Sequence, residues 1–220
     1  MATEHTPRLR GLYFITPAVP EDANPRATHL ANAKAALRGG ARLIQFRDKT
    51  LAGTARETIA RELVALAHAH GALCIINDDT ELAAGVEADG VHLGRDDPDP
   101  VAARARLGPG AVVGVSCYNE LERARSAQLA GASYVAFGSV FPSPTKPDAA
   151  RADLELLREA RTTLELPICA IGGITAANAP EVVAAGADLL AVIQGISAAP
   201  DPEAAARCIS TLLGPLNQYE

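Results

Sequence analysis

The apolar run that begins at Leu43 is broken by polar side chains at Gln45, Arg47 and Lys49, each two residues from the next. On a β-strand that spacing turns all three to one face. An arginine fork beside a lysine point charge, in a chain of net charge −6, forms a site for a multiply charged anion. A solvated surface loop is the competing reading, but the strict alternation and the place of Gln45 inside the run argue against it. Two later runs lead into acids, Asn77-Asp78-Asp79 and His92-Leu93-Gly94-Arg95-Asp96-Asp97. Carboxylates at neighbouring strand ends can share one Mg2+, which takes one or two carboxylates together with substrate phosphate and water. Helix capping accounts for some of these acids, with Asp78 or Asp79 placed before Leu82 and Asp97 before Pro98.

Other candidates are weaker or point elsewhere. His92 sits among apolar residues and reads as a satisfied core histidine. His68 and His70, two apart on a helix, do not face the same side, so neither pattern makes a zinc site. Ser116 closes the run Val112–Ser116, but Tyr118 stands where a nucleophile elbow needs its second glycine, so a hydrogen-bonding serine is expected. Gly108-Pro109-Gly110 precedes a strand instead of following one, which excludes a dinucleotide fingerprint. After Gly138, two prolines stiffen a segment that presents the hydroxyls of Ser143 and Thr145 and the ammonium of Lys146. Gly172-Gly173-Ile174 and Ile193-Gln194-Gly195 follow the last two runs. Together they suit a phosphate seat of backbone N–H groups, with plain helix capping as the alternative.

Positioning these groups requires eight strands. Short apolar runs recur at Leu12–Thr16, Leu43–Arg47, Leu73–Asn77, Gly90–Gly94, Val112–Ser116, Tyr134–Gly138, Ile168–Gly172 and Leu189–Ile193. Each is nearly continuous, as in a parallel sheet buried on both faces. Between them Thr54–Ala69, Glu120–Ala130 and Ala152–Arg161 carry helical spacing, and a Gly-Ala phrase recurs before strands at Gly40-Ala41, Gly131-Ala132 and Gly186-Ala187. Eight units of about 27 residues favour a single (β/α)8 TIM barrel over 1–220, with 1–10 as a flexible N-terminus. A doubly wound open sheet is the competitor. Alanine supplies 45 of the 220 residues and aromatics only 4%, which suits close helix–sheet packing and not base stacking. The acidic balance argues against nucleic-acid or anionic-membrane partners. No apolar run reaches bilayer length, MATEHTPRLR lacks a secretory apolar core, and the four cysteines read as free thiols; a cytoplasmic enzyme is expected.

Six segments in order resemble the thiamine-phosphate synthase family over nearly the whole chain. They are Gln45-x-Arg47-x-Lys49, Asn77-Asp78, Gly90-Val91-His92-Leu93-Gly94-x-x-Asp97, Gly114-Val115-Ser116, Ser143-x-Thr145-Lys146 and Ala170-Ile171-Gly172-Gly173-Ile174. The resemblance implies the barrel fold and a Mg2+-dependent transferase of thiamine biosynthesis. Such an enzyme joins hydroxymethylpyrimidine diphosphate to a thiazole phosphate and releases pyrophosphate. It implies that Gln45, Phe46, Arg47, Asp48, Lys49, Asn77, Ser116 and Lys146 bind the pyrimidine diphosphate, with Arg47, Lys49, Ser116 and Lys146 acting in catalysis. By the same resemblance Asp78 and Asp97 hold the metal, and Ser143, Pro144, Thr145, Gly173, Ile193 and Gln194 hold the thiazole phosphate. It implies small-molecule substrates and leaves room for a homodimer. Arg95, Ser143 and Gln194 depart from the family's usual Gln, Thr and Ser. A thiazole tautomerase-like barrel, which wants an acid–base residue near Tyr118, and a silent phosphometabolite-binding barrel are the alternatives.

Overall fold

Each apolar run forms a strand, and each strand pairs in parallel with the next. The structure, a computed structural model, describes residues 9–142 and 150–214. The strands are β1 (Gly11–Ile15), β2 (Ala41–Phe46), β3 (Leu73–Asn77), β4 (Gly90–Leu93), β5 (Val112–Tyr118), β6 (Tyr134–Gly138), β7 (Ile168–Ile171) and β8 (Leu189–Val192). Between and after them lie α1 (Pro25–Arg38), α2 (Gly53–Ala69), α3 (Thr80–Gly85), α4 (Pro100–Leu107), α5 (Leu121–Leu129), α6 (Leu154–Thr163), α7 (Ala179–Ala184), α8 (Gln194–Ser197) and α9 (Pro202–Ser210). β8 pairs back onto β1, from Gly11 opposite Leu189 to Phe14 opposite Val192, so the sheet is a closed (β/α)8 barrel. That closure disposes of the open-sheet reading. No helix among the described residues is long and apolar enough to cross a membrane.

Alternation along the strands creates two cores. Outward residues such as Phe14, Ile44, Phe46, Ile76 and Phe137 pack under the helices, where alanines including Ala33, Ala60, Ala124, Ala160 and Ala206 let the helices approach closely. Inward residues Tyr13, Leu43, Ile75, Tyr134, Cys169 and Leu189 fill the lumen. Cys74, Cys117 and Cys169 are buried free thiols and Cys208 is exposed.

Polar residues just before β4, β6 and β8 form a clasp at the N-terminal end of the barrel, and two of them, Ser133 and Asp188, follow the recurring Gly-Ala phrase. Asp89, just before β4, accepts from Cys74 N of β3 and lies 2.9 Å from His68 Nε2 of α2. Ser133, before β6, accepts from Val113 N of β5 and from Arg104 of α4. Asp188, before β8, accepts from Ile168 N of β7 and from Arg161 of α6. In three of the four successive pairs of βα units, one polar residue therefore ties a strand start to a helix end. These bonds lie opposite the strand ends that carry the chemistry. Asp188→Ala removes an acceptor shared by a buried N–H and a guanidinium, and is expected to cost about 2–3 kcal/mol of stability while leaving the active end intact. Denaturant unfolding checks this; a loss below about 0.5 kcal/mol would remove the clasp's role.

Candidate active site

The lumen is polar on one side and small on the other at the C-terminal strand ends. Gln45, Arg47, Asn77, His92 and Ser116, from β2 to β5 and the residue after β2, line one wall of a cavity of about 890 Å3. Ala136, Gly138, Ala191 and the loops after β7 and β8 line the other. The cavity opens on the β6–β8 side because the inward residues there are small.

The period of two holds past the end of β2. Gln45 and Arg47 face the cavity, and Lys49 reaches the mouth, its Nζ 3.4 Å from Asp78 Oδ2. Thr16, at the end of β1, accepts from Arg47 N at 2.9 Å and donates to Arg47 O at 3.2 Å, which fixes this backbone. Phe46 and Asp48 turn the other way. Phe46 packs in the outer core, its ring edge-on to His29. Asp48 is buried, 2.9 Å from His29 Nε2, and accepts from Thr50 N, Thr50 Oγ1 and Leu51 N. Their side chains thus brace the Arg47–Lys49 segment from behind. Burial works against the charge of Asp48, but the bonds from Thr50, His29 and Leu51 outweigh it and hold its carboxyl below the usual value. A depressed carboxyl contributes stability above its unfolded value near pH 4 and loses it as pH falls through the folded value. Asp48→Asn should therefore melt well below wild type at pH 7, with the gap closing as pH falls through and below the ordinary carboxylate range. A gap independent of pH in thermal melts would contradict this.

Capping sorts the acids. Asp79 caps α3 by accepting from Leu82 N, and Asp99 caps α4 by accepting from Val101 N. The expectation that Asp97 caps a helix before Pro98 is corrected: the helix starts at Pro100, and Asp97 Oδ2 accepts from Gly94 N at 2.6 Å. Asp78 and Asp97 are left at the mouth, in contact with each other. Asp78 sits in left-handed backbone, φ 64°, at the end of β3. Burial raises the Asp97 carboxyl above its ordinary value, and the neighbouring Asp78 adds to this against the pull of Gly94 N–H and Lys49. Two meeting carboxylates with hard oxygen donors fit Mg2+. Among the described residues no group of three or more His, Cys, Asp or Glu gathers to cage a metal, and Mg2+ shared with a substrate phosphate does not need one.

Glycines shape the opposite wall. Gly172 and Gly173 have φ of 107° and 61°, and a Cβ at Gly173 would lie 2.4 Å from Pro142 O. A Cβ at Gly195 would lie 2.5 Å from Ile174 O, so the loops after β7 and β8 touch through bare backbone. Asn178 donates to Gly173 O and accepts from Thr175 N, which fixes the first loop. Gly173, Ile193 and Gln194 all line the cavity. Ser143, Pro144, Thr145 and Lys146 lie outside the described residues; Pro142 and Ala150 line the cavity.

Three sets of contacts were not read from sequence. Tyr13 and Tyr134 meet inside the lumen with Oη atoms 2.9 Å apart. His29 comes from α1, the helix just before β2, to brace Asp48. Tyr118 lines the cavity with the Arg95 guanidinium 4.9 Å from its ring centre, while Arg123 ties Ser116 O to Gly94 O. Inward alternation on β1 and β6 was the available signal for the tyrosines; nothing in the sequence pairs His29 with Asp48.

A family model described as thiamine monophosphate synthase matches residues 12–196, nearly the whole barrel. The chain belongs to the thiamine-phosphate synthase family. It is 55% identical over 210 residues to a thiamine-phosphate synthase of Thioalkalivibrio sulfidiphilus, covering 96% of this chain and 98% of that one. A thiamine-phosphate synthase of Chromobacterium violaceum is 54% identical over 208 residues, covering 94% and 98%. The solved thiamine phosphate pyrophosphorylase from Pyrococcus furiosus superposes with a TM-score of 0.82 at 34% identity, covering 94% of this chain and 96% of that one. Family membership and the barrel thus agree, and the chain is a transferase of the thiamine-phosphate synthase family acting on small molecules.

Proposed function

We infer that the chain joins hydroxymethylpyrimidine diphosphate to a thiazole phosphate, forming thiamine phosphate and pyrophosphate. The observation that carries this is the division of one cavity into two anion seats. Arg47 lines one side, with Lys49 beside Asp78 at the neighbouring strand ends, and the glycine loops after β7 and β8 line the other. A diphosphate fits the first and a monophosphate the second. In this reading the C–O bond to the pyrophosphate breaks, the pair of electrons leaves with oxygen, and the thiazole nitrogen forms the new C–N bond to that carbon. The aminopyrimidine ring stabilises the benzylic-type cation between these events, so no protein nucleophile is required.

The residues act by charge and position. Arg47 offers the leaving diphosphate a planar fork, and Lys49 adds a point charge that Asp78 holds at the mouth. Lys146 is assigned to the same anion by resemblance. Asp78 and Asp97 would hold Mg2+, which supplies Lewis-acid neutralisation of the departing pyrophosphate. Gln45, Asn77 and Ser116 address the pyrimidine ring and its diphosphate. Ser143, Pro144, Thr145, Gly173, Ile193 and Gln194 are assigned to the thiazole phosphate, with Gly173 and Gln194 bringing backbone close to it. The free thiols suit a reducing, cytoplasmic setting.

Purified protein, both phosphorylated substrates and Mg2+ should yield thiamine phosphate and stoichiometric pyrophosphate. Folded protein that forms neither under these conditions sinks the proposal. Chelation of Mg2+ should stop the reaction, and restored Mg2+ should restart it.

A further inference from the structure

Side chains from five strands form one line of hydrogen bonds across the lumen beneath the cavity. Gln45 Nε2 donates to Tyr13 Oη at 2.6 Å, and Tyr13 Oη lies 2.9 Å from Tyr134 Oη. Tyr134 Oη lies 2.9 Å from His92 Nδ1, and His92 Nε2 lies 2.9 Å from Ser116 Oγ. An amide N–H can only donate, and the buried Tyr13 hydroxyl then has Tyr134 alone to receive its own proton, which sets the direction of the rest. Tyr13 accepts that proton and turns its own toward Tyr134. Tyr134 then gives its proton to His92 Nδ1, so the ring proton sits on Nε2 and is donated to Ser116 Oγ. Having accepted there, Ser116 has its own hydroxyl proton to give to the cavity that it lines.

The geometry points to Tyr13, Tyr134 and His92 as positioning residues that fix Ser116 as a donor and the Gln45 amide in one orientation toward the pyrimidine substrate. The inference rests on the synthase reading for the identity of that substrate. Without the line, a serine rotor and an amide each have two arrangements, and the substrate meets a mixture of patterns. With it, the two ends are set together across the barrel, and less of the binding energy goes into ordering them.

Packing supports a built device. A Cβ at Gly114 would lie 2.1 Å from Tyr134 Cζ and 2.3 Å from its Oη, so bare backbone at 114 is what lets the ring cross the lumen. The His92 ring stacks on Tyr134 with centroids 5.6 Å apart, and Tyr13 meets Tyr134 edge-on at 5.9 Å. Both tyrosines are buried, and burial pushes their hydroxyls well above the ordinary value. They stay protonated, so the line carries orientation and not charge.

Two readouts test this, one independent of turnover. Nitrogen NMR of the histidine ring in the wild type should show the proton of His92 on Nε2, and Tyr134→Phe should give a mixture of tautomers. A proton on Nδ1 in the wild type, or an unchanged tautomer in Tyr134→Phe, overturns the proposal. In steady-state assays Tyr134→Phe should raise KM for hydroxymethylpyrimidine diphosphate by about 10-fold or more, with KM for the thiazole phosphate within about twofold. Adding Tyr134→Phe to Ser116→Ala should raise that KM by clearly less than Tyr134→Phe does alone, since the part carried through the Ser116 hydroxyl is already gone and only the Gln45 end remains. Multiplying effects would make Tyr134 an ordinary core residue and overturn the proposal. Should Tyr134→Phe fail to fold, Tyr13→Phe breaks the line one link earlier and takes the same readouts, and the wild-type tautomer decides in either case. A wild type that forms no thiamine phosphate defeats the synthase reading, while the tautomer readout still judges the line.

Discussion

Asp97→Asn is expected to slow turnover by about 100- to 10,000-fold with both substrates saturating, and to leave the fold as stable as before or slightly more so. The two halves of this expectation have different causes. Asparagine keeps a carbonyl oxygen to accept from Gly94 N–H, the bond that now holds Asp97 at 2.6 Å. It also removes a negative charge held against Asp78, where burial and that neighbour raise the Asp97 carboxyl. A raised carboxyl contributes stability at low pH and loses it as pH rises through its folded value, so the variant gains on wild type toward neutral pH. The catalytic loss comes from weakening the pair proposed to hold Mg2+, and raising Mg2+ should recover part of it. Thermal melts without metal, beside a Mg2+ titration of activity, separate the two. Turnover unchanged from wild type would remove Asp97 from the chemistry, and a melting temperature lowered by more than about 5 °C would make it a structural residue.

Gly173→Ala addresses the other seat. Its φ of 61° is strained for any side chain, and the new Cβ would lie 2.4 Å from Pro142 O, a backbone atom that cannot swing aside. The loop must shift, and the backbone brought close to the second anion moves with it. KM for the thiazole phosphate is expected to rise by about 100-fold or more, while KM for the pyrimidine diphosphate stays within about threefold, because Arg47 and Lys49 sit on the far side of the cavity. Gly85→Ala is the control: no atom lies within 4 Å of its Cβ position, so both KM values should hold. Equal losses in both KM values for Gly173→Ala would mean that one seat, not two, had been disturbed.

The fold was legible because a buried parallel barrel repeats one simple pattern. All eight apolar runs became strands within about two residues of their expected ends, and the period of two placed Gln45 and Arg47 on the cavity side with Phe46 and Asp48 behind them. The Gly-Ala phrase was visible as a repeat, but its meaning was not. At two of its three places the phrase precedes Ser133 and Asp188, which with Asp89 clasp strand starts to helix ends, and the partners His68, Arg104 and Arg161 come from other elements. The acids were legible only as a group. Which two cap helices and which two meet at the mouth depended on where α3 and α4 start, and boundaries set by a single residue are weakly encoded in local pattern.

By itself the sequence determined the barrel, the end of it that carries the chemistry, and the residue types available there. Strand periodicity and the order of the runs are local properties, and each is written many times over in a chain of eight units. Tertiary structure alone decided what meets across the lumen. Tyr13, Gln45, His92, Ser116 and Tyr134 come from five strands, and only closure of the sheet brings their polar atoms within hydrogen-bond reach. Packing between neighbouring elements sets Asp78 against Asp97, after β3 and β4, and His29 of α1 against Asp48. Such contacts depend on the angle at which neighbouring strands tilt and on the space left by Gly114 and Ala136, quantities that no window of sequence contains.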